Sequence, residues 1–98
     1  VRPAAKSPLD VNEISETALR LASFDKSFQK LQIEKHYAAN LPKIYADSDQ
    51  LQQVFLNIFL NARDAMPNGG VLYIKTLNGG GSVKIEIADS GSGIDENS

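Results

Sequence analysis

The sequence predicts an α+β two-layer sandwich, with helices packed on one face of a mixed, mostly antiparallel sheet. Three observations predict it. Residues 48–66 repeat apolar side chains at helical spacing and stop at Pro67-Asn68-Gly69-Gly70. Two β-rich runs, 71–78 and 82–89, flank Gly79-Gly80-Gly81 and read as a hairpin. Residues 30–37 alternate apolar and polar, the period of a half-buried strand. With 98 residues, 42% of them hydrophobic, the chain holds one core and not two.

Taken in order, residues 1–8 contain Pro3 and Pro8 and no periodicity, and are expected to be a linker remnant. Asp10 or Asn12 then caps a helix running to about Ser23, with Val11, Ile14, Ala18, Leu21 and Ala22 on its apolar face. Phe24 and Phe28 are expected to pack the connection. In the strand that follows, Leu31, Ile33 and Tyr37 share one face, and Gln32, Glu34 and His36 the other. Leu41-Pro42 breaks it, and Lys43 to Ala46 gives a short second strand. Asp47 stands at the N-cap of the long helix with Gln50 three residues later, a capping-box spacing. In the last strand Val83, Ile85 and Ile87 face inward while Lys84 and Glu86 face water. There are no internal repeats.

Composition excludes several classes. Net charge is −2, so no basic footprint points to nucleic acid. The absence of cysteine removes disulfide frameworks and thiolate metal sites and fits a reducing compartment. No apolar run approaches the roughly 20 residues that span a bilayer. The N-terminus lacks the apolar core of a signal peptide. A soluble, cytoplasmic chain, cut from something larger, is the expectation.

The long helix carries an unusual stripe. At 100° per residue, Gln50, Gln53, Asn57, Asn61 and Asp64 fall within about 80° of one another. Leu51, Val54, Phe55, Ile58, Ala62 and Met66 occupy the adjoining broad face, and Leu56 and Leu60 the other flank. A solvated face normally carries Lys and Glu pairs; this one has amides and a carboxylate between apolar residues. Semi-buried polar groups need partners, so the stripe is expected to line a cavity with polar contents. Oxygen donors suit a hard cation, and Mg²⁺ is commonly held by one or two side chains plus waters and phosphates. A polar seam against another helix, or simply exposed amides, is the competing reading.

A second motif follows the last strand directly: Asp89-Ser90-Gly91-Ser92-Gly93-Ile94. Glycines there let the backbone turn and approach a flat ligand without a Cβ in the way. A carboxylate at the strand end can accept a hydrogen bond from an exocyclic amine such as that of adenine. By itself such a segment is usually an ordinary surface turn, and it is no Walker A loop, having no GK[ST].

In combination, NxxxNAxDAM on a helix, then a hairpin, then DxGxGI resembles the N box and G1 box of sensor histidine kinases, within the ATP-binding superfamily that includes gyrase B, Hsp90 and MutL. The nitrogen-regulatory type of sensor kinase is the most similar. The resemblance covers residues 8–98. It implies the histidine kinase ATPase type of fold, incomplete here, with residues 9–98 as a partial ATP-binding domain.

The resemblance also implies roles. Asn61 matches the Mg²⁺-binding asparagine, with Asn57 as its companion one turn earlier. Asp64 stands where many sensor kinases carry a phosphate-contacting basic residue; its sign is opposite, so water or base-side hydrogen bonding fits it better. Asp89 matches the aspartate that reads the adenine amino group, and Gly91, Gly93 and Ile94 shape that side of the pocket. ATP and Mg²⁺ are the implied cofactors. Hydrolysing members hold a glutamate at the place of Asn57; asparagine cannot take a proton from water near neutral pH, which favours a kinase over an ATPase.

The implied reaction is γ-phosphoryl transfer to a histidine in a separate dimerisation domain, which then donates to a response-regulator aspartate. The implied partners are that domain of the same kinase and a receiver domain, in a homodimeric parent that is cytoplasmic or membrane-anchored. No catalytic residue is expected within the chain: its single histidine, His36, is followed by Tyr37 and reads as a solvated strand residue. The F box, ATP lid and second glycine box follow DxGxGI in the family, where this sequence has only Asp95-Glu96-Asn97-Ser98. The 98 residues alone are therefore expected to bind ATP weakly or not at all, without phosphotransfer. A non-catalytic nucleotide-sensing or protein-interaction module of the same fold is the alternative.

Overall fold

The computed structural model describes residues 6–90. Two helices, α1 (Val11–Ala22) and α2 (Ser48–Ala65), pack on each other and on a three-stranded sheet of β2 (Leu31–His36), β4 (Gly70–Asn78) and β5 (Val83–Asp89), in the order β2-β4-β5. The β2–β4 pair is parallel, with Leu31 opposite Gly70, and the β4–β5 pair antiparallel, with Leu72 opposite Asp89. A separate antiparallel ribbon joins β1 (Lys6–Leu9) to β3 (Ile44–Asp47). The expected mixed α+β sandwich is therefore present. Part of the expected linker differs, because Lys6–Leu9 finds the edge of β3 and pairs from Lys6 opposite Asp47 to Leu9 opposite Ile44. A lone segment with Pro8 carries no strand signal; a partner edge supplies it.

The helices form where local chemistry starts them. The Asp10 carboxylate accepts from Asn12 N–H at 2.9 Å, and Asp47 accepts from the N–H groups of Asp49 and Gln50 at 2.9 and 3.3 Å. These bonds satisfy donors that the first helical turn leaves open. After α2, Met66 and Gly69 N–H groups bond Arg63 and Met66 carbonyls, and Gly69 takes φ +93°, a conformation open to glycine.

The core lies between the helices and the inner face of the sheet. Phe59, Leu72, Ile74 and Val11 are fully enclosed, with Phe55, Phe28 and Met66 around them. The Phe59 ring sits 6.1 Å from Phe55 and 6.5 Å from Phe28. Two aromatic expectations separate here: Phe28 is buried in the 3-10 turn Phe28–Lys30, whereas Phe24 is 79% exposed. The turn is closed by the Asp25 carboxylate accepting from Phe28 N–H at 3.1 Å, which draws Phe28 inward and leaves Phe24 on the rim.

The buried face of α1 is also rotated from the expected one, taking in Ser15 and Leu19 and leaving Leu21 half-exposed. Ser15 tolerates full burial because its hydroxyl meets the Tyr37 hydroxyl at 2.7 Å. No helix among the described residues is long and apolar enough to cross a membrane.

Candidate functional site

Phe55, Phe59, Ala62 and Met66 recur at helical spacing and turn one side of α2 into the core. The polar stripe then faces the opposite way, and Gln50, Gln53, Asn57, Asn61 and Asp64 are all exposed. Asn61 stands at the edge of that stripe nearest Ile58 and Ala62. There α2 and the end of β5 enclose a hollow of about 230 Å³, lined by Ile58, Asn61, Ala62, Ile87 and Asp89. Its walls are apolar on both elements. One amide and one carboxylate enter it, from segments 28 residues apart in sequence (89 − 61) that the β4–β5 hairpin brings together.

The stripe does not line one cavity, as the sequence had suggested. Asn57 Oδ1 accepts from Gln53 Nε2 at 3.1 Å, one turn away along the helix. Gln50 borders a separate shallow hollow of about 210 Å³ with Ala46, Asp47, Leu51 and Val54. Asp64 is turned towards Arg63, whose Nε and Nη2 donate to its Oδ1 at 3.0 and 2.9 Å, while Arg63 Nη1 donates to Asp25 at 2.7 Å. The Phe28 N–H and the Arg63 guanidinium hold the Asp25 carboxyl below its ordinary range, against a desolvation that acts the other way. Asp64 thus belongs to a structural ion cluster and is not among the residues lining the Asn61–Asp89 hollow. Gly91, Gly93 and Ile94 lie outside the described residues. His36 is exposed at the end of β2, its Nε2 3.8 Å from Glu34.

A larger hollow of about 380 Å³ is bordered by Asn12, Glu13, Glu16, Thr17 and Arg20, all on α1. One helix flank cannot enclose a ligand, so size is a poor guide here. The chemistry favours the smaller site, which joins two elements and has both apolar walls and convergent polar groups.

The donor set fits the groups that the sequence suggests. The Asn61 amide takes no hydrogen-bond partner within the described residues, and Asn57 Oδ1 keeps one acceptor site beyond its bond to Gln53. Among those residues no group of three or more His, Cys, Asp or Glu side chains could hold a metal. A divalent ion here would rest on amide oxygen, waters and phosphate, an arrangement that suits Mg²⁺. At about 230 Å³ the hollow is smaller than a whole-ligand pocket, which spans roughly 300–1,000 Å³.

The family model described as Histidine kinase-, DNA gyrase B-, and HSP90-like ATPase matches residues 46–98, more than half of the chain. The chain belongs to this family. Sensor histidine kinase ZraS of Escherichia coli O157:H7 is 38% identical over 90 residues, which is 92% of this chain and 20% of that protein. Sensory histidine kinase/phosphatase NtrB of Rhodobacter capsulatus is 31% identical over 107 residues, 96% of this chain and 30% of that protein, in keeping with the nitrogen-regulatory resemblance. The crystal structure of full-length ShkA in complex with AMPPNP superposes with a TM-score of 0.72 at 26% identity, over 92% of this chain and 19% of that one. The chain spans about a fifth of the length of ZraS.

Ile87 serves the site as a cavity wall, a role that strand alternation alone does not signal. Arg63, beside Asp64 on α2, carries the local signal for the charge pair that engages Asp64 outside the hollow.

Proposed function

We propose that this chain is the nucleotide-binding part of a sensor histidine kinase that positions Mg²⁺-ATP for transfer of the γ-phosphoryl group to a histidine on a separate dimerisation domain. The supporting observation is that Asn61 and Asp89 line the same hollow between apolar walls. Adenine lies between Ile58, Ala62 and Ile87, with the Asp89 carboxylate accepting from its exocyclic amine. The resemblance assigns Gly91, Gly93 and Ile94 to the same binding, and they lie outside the described residues. Asn61, with Asn57 beside it, supplies amide oxygen to Mg²⁺, which neutralises phosphate charge when bound. Asn57 lacks the basicity to activate water, so transfer is favoured over hydrolysis. The phosphoryl group passes from the histidine to a response-regulator aspartate. Asp64 has no direct part in this scheme, since it turns one carboxylate oxygen to Arg63 and does not line the hollow.

The test is calorimetric titration of Mg²⁺-ATP into the intact protein that carries these residues. Asp89→Asn is expected to weaken binding roughly tenfold to a hundredfold, the worth of a hydrogen bond to a charged group. Unchanged affinity in that variant would overturn the assignment.

A further inference from the structure

The position of the Asp89 carboxylate depends on how β5 ends, and the ending has an unusual construction. Register makes Val71 and Ser90 the pair after Leu72 and Asp89. Ser90 N–H donates to the Val71 carbonyl at 3.0 Å, as an antiparallel ladder requires. The return bond is different: Val71 N–H donates to the Ser90 hydroxyl oxygen at 2.8 Å. A side chain has taken the place of the backbone carbonyl, which stops the ladder one residue beyond Asp89.

The same hydroxyl donates to the Met66 sulfur at 3.8 Å, and Met66 is the buried residue that caps α2, one turn beyond Ala62. Gly70 makes the approach possible. A Cβ on Gly70 would lie 2.5 Å from Met66 Sδ and 3.0 Å from Ser90 Oγ. Three segments therefore meet at one point, namely the end of α2, the start of β4 and the end of β5.

We infer that Ser90, seated against Gly70 and Met66, is a positioning residue that fixes the Asp89 carboxylate relative to Asn61 across the nucleotide hollow. Its hydroxyl fastens the strand end to the helix end, so the two walls of the hollow keep their separation. This inference rests on the nucleotide reading given above and adds a residue to it.

The experiment is a double-mutant cycle in the intact protein, read as Mg²⁺-ATP affinity by calorimetry and as affinity for Mg²⁺-tripolyphosphate, which has no base. Ser90→Ala is expected to weaken ATP about fivefold, the worth of one ordinary side-chain hydrogen bond, and to leave tripolyphosphate unchanged. Ser90→Thr, which keeps the hydroxyl, is expected to retain wild-type affinity. On an Asp89→Asn background Ser90→Ala is expected to add no further loss, because its influence passes through that carboxylate. A loss that is equal on both backgrounds, or shared by tripolyphosphate, overturns the positioning role, as does an unchanged ATP affinity in Ser90→Ala. If Asp89→Asn itself leaves ATP affinity unaltered, the nucleotide reading has failed rather than the latch.

Discussion

Around α1 the inward polar groups are consumed by one another, whereas along α2 the amides are displayed. On the first side, buried Thr76 donates to Asn12 Oδ1 at 2.9 Å, Asn12 Nδ2 donates to the Ala38 carbonyl at 3.0 Å, and Ala38 N–H returns to Thr76 Oγ1 at 2.9 Å. Next to this closed ring, the Tyr37 hydroxyl bonds Ser15 and Glu16, and Lys35 Nζ reaches both Glu16 oxygens at 3.1 Å. On the second side, Asn57 and Asn61 are exposed, and among the described residues the amides of the stripe share one side-chain bond, from Gln53 to Asn57, while Asp64 pairs with Arg63. Polar groups that are closed on each other stabilise a fold and leave little for a ligand. Displayed amides give the fold little and leave their oxygens to a ligand. The contrast separates the scaffold from the site.

The contrast can be broken or sharpened by substitution, starting with the largest change in stability. Thr76→Val opens the ring and strands the Ala38 N–H donor and the Asn12 Oδ1 acceptor, and is expected to cost about 1–3 kcal/mol in denaturant unfolding. A loss within experimental error would mean that the ring is not a stabilising element.

Tyr37→Phe is the next in size, at about 1 kcal/mol near neutral pH. Burial pushes the Tyr37 hydroxyl well above its ordinary pKa, with Glu16 adding to the rise and the Ser15 bond opposing it. The neutral form is therefore favoured by folding. The stability it brings is full below the unfolded tyrosine value of about 10 and is lost as pH rises beyond it. Thermal melts from pH 8 to 11 should show an alkaline decline in the parent that is reduced in Tyr37→Phe. An identical decline in both would assign it to another group.

The smallest stability effect belongs to the displayed stripe. Asn57→Ala and Asn61→Ala are each expected to change stability by less than about 0.5 kcal/mol, the range of ordinary surface sites. Loss of more than that in thermal or urea unfolding would move these amides into the scaffold and erase the contrast.

Much of this arrangement was legible in the sequence. Asp47 announced its cap, Asp10 was one of two candidates for the other, Pro67-Asn68-Gly69-Gly70 ended α2, and the glycine run marked the β4–β5 turn. These are local signals, written within a few residues of the feature they make. The two motif residues Asn61 and Asp89 were picked out for the same reason. Other features were not local. Phe59 was left out of the expected apolar face of α2 yet is its most enclosed residue, because the position of the core, and not the spacing alone, sets where a helix face is centred. Phe24 and Phe28 look equivalent in sequence, and the core separates them: the Phe28 ring packs 6.5 Å from Phe59, in a turn that Asp25 closes.

The sequence by itself placed α1, α2, β2 and the β4–β5 hairpin, since caps, turns and periodicity act over a few residues. The tertiary structure decided that β2 runs parallel to β4, that Lys6–Leu9 joins β3, and that of the whole amide stripe only Asn61 borders the hollow with Asp89. Those outcomes depend on contacts between residues far apart along the chain. Such contacts are fixed by how the apolar faces of α1, α2 and the sheet fill one core, and no single segment contains that information.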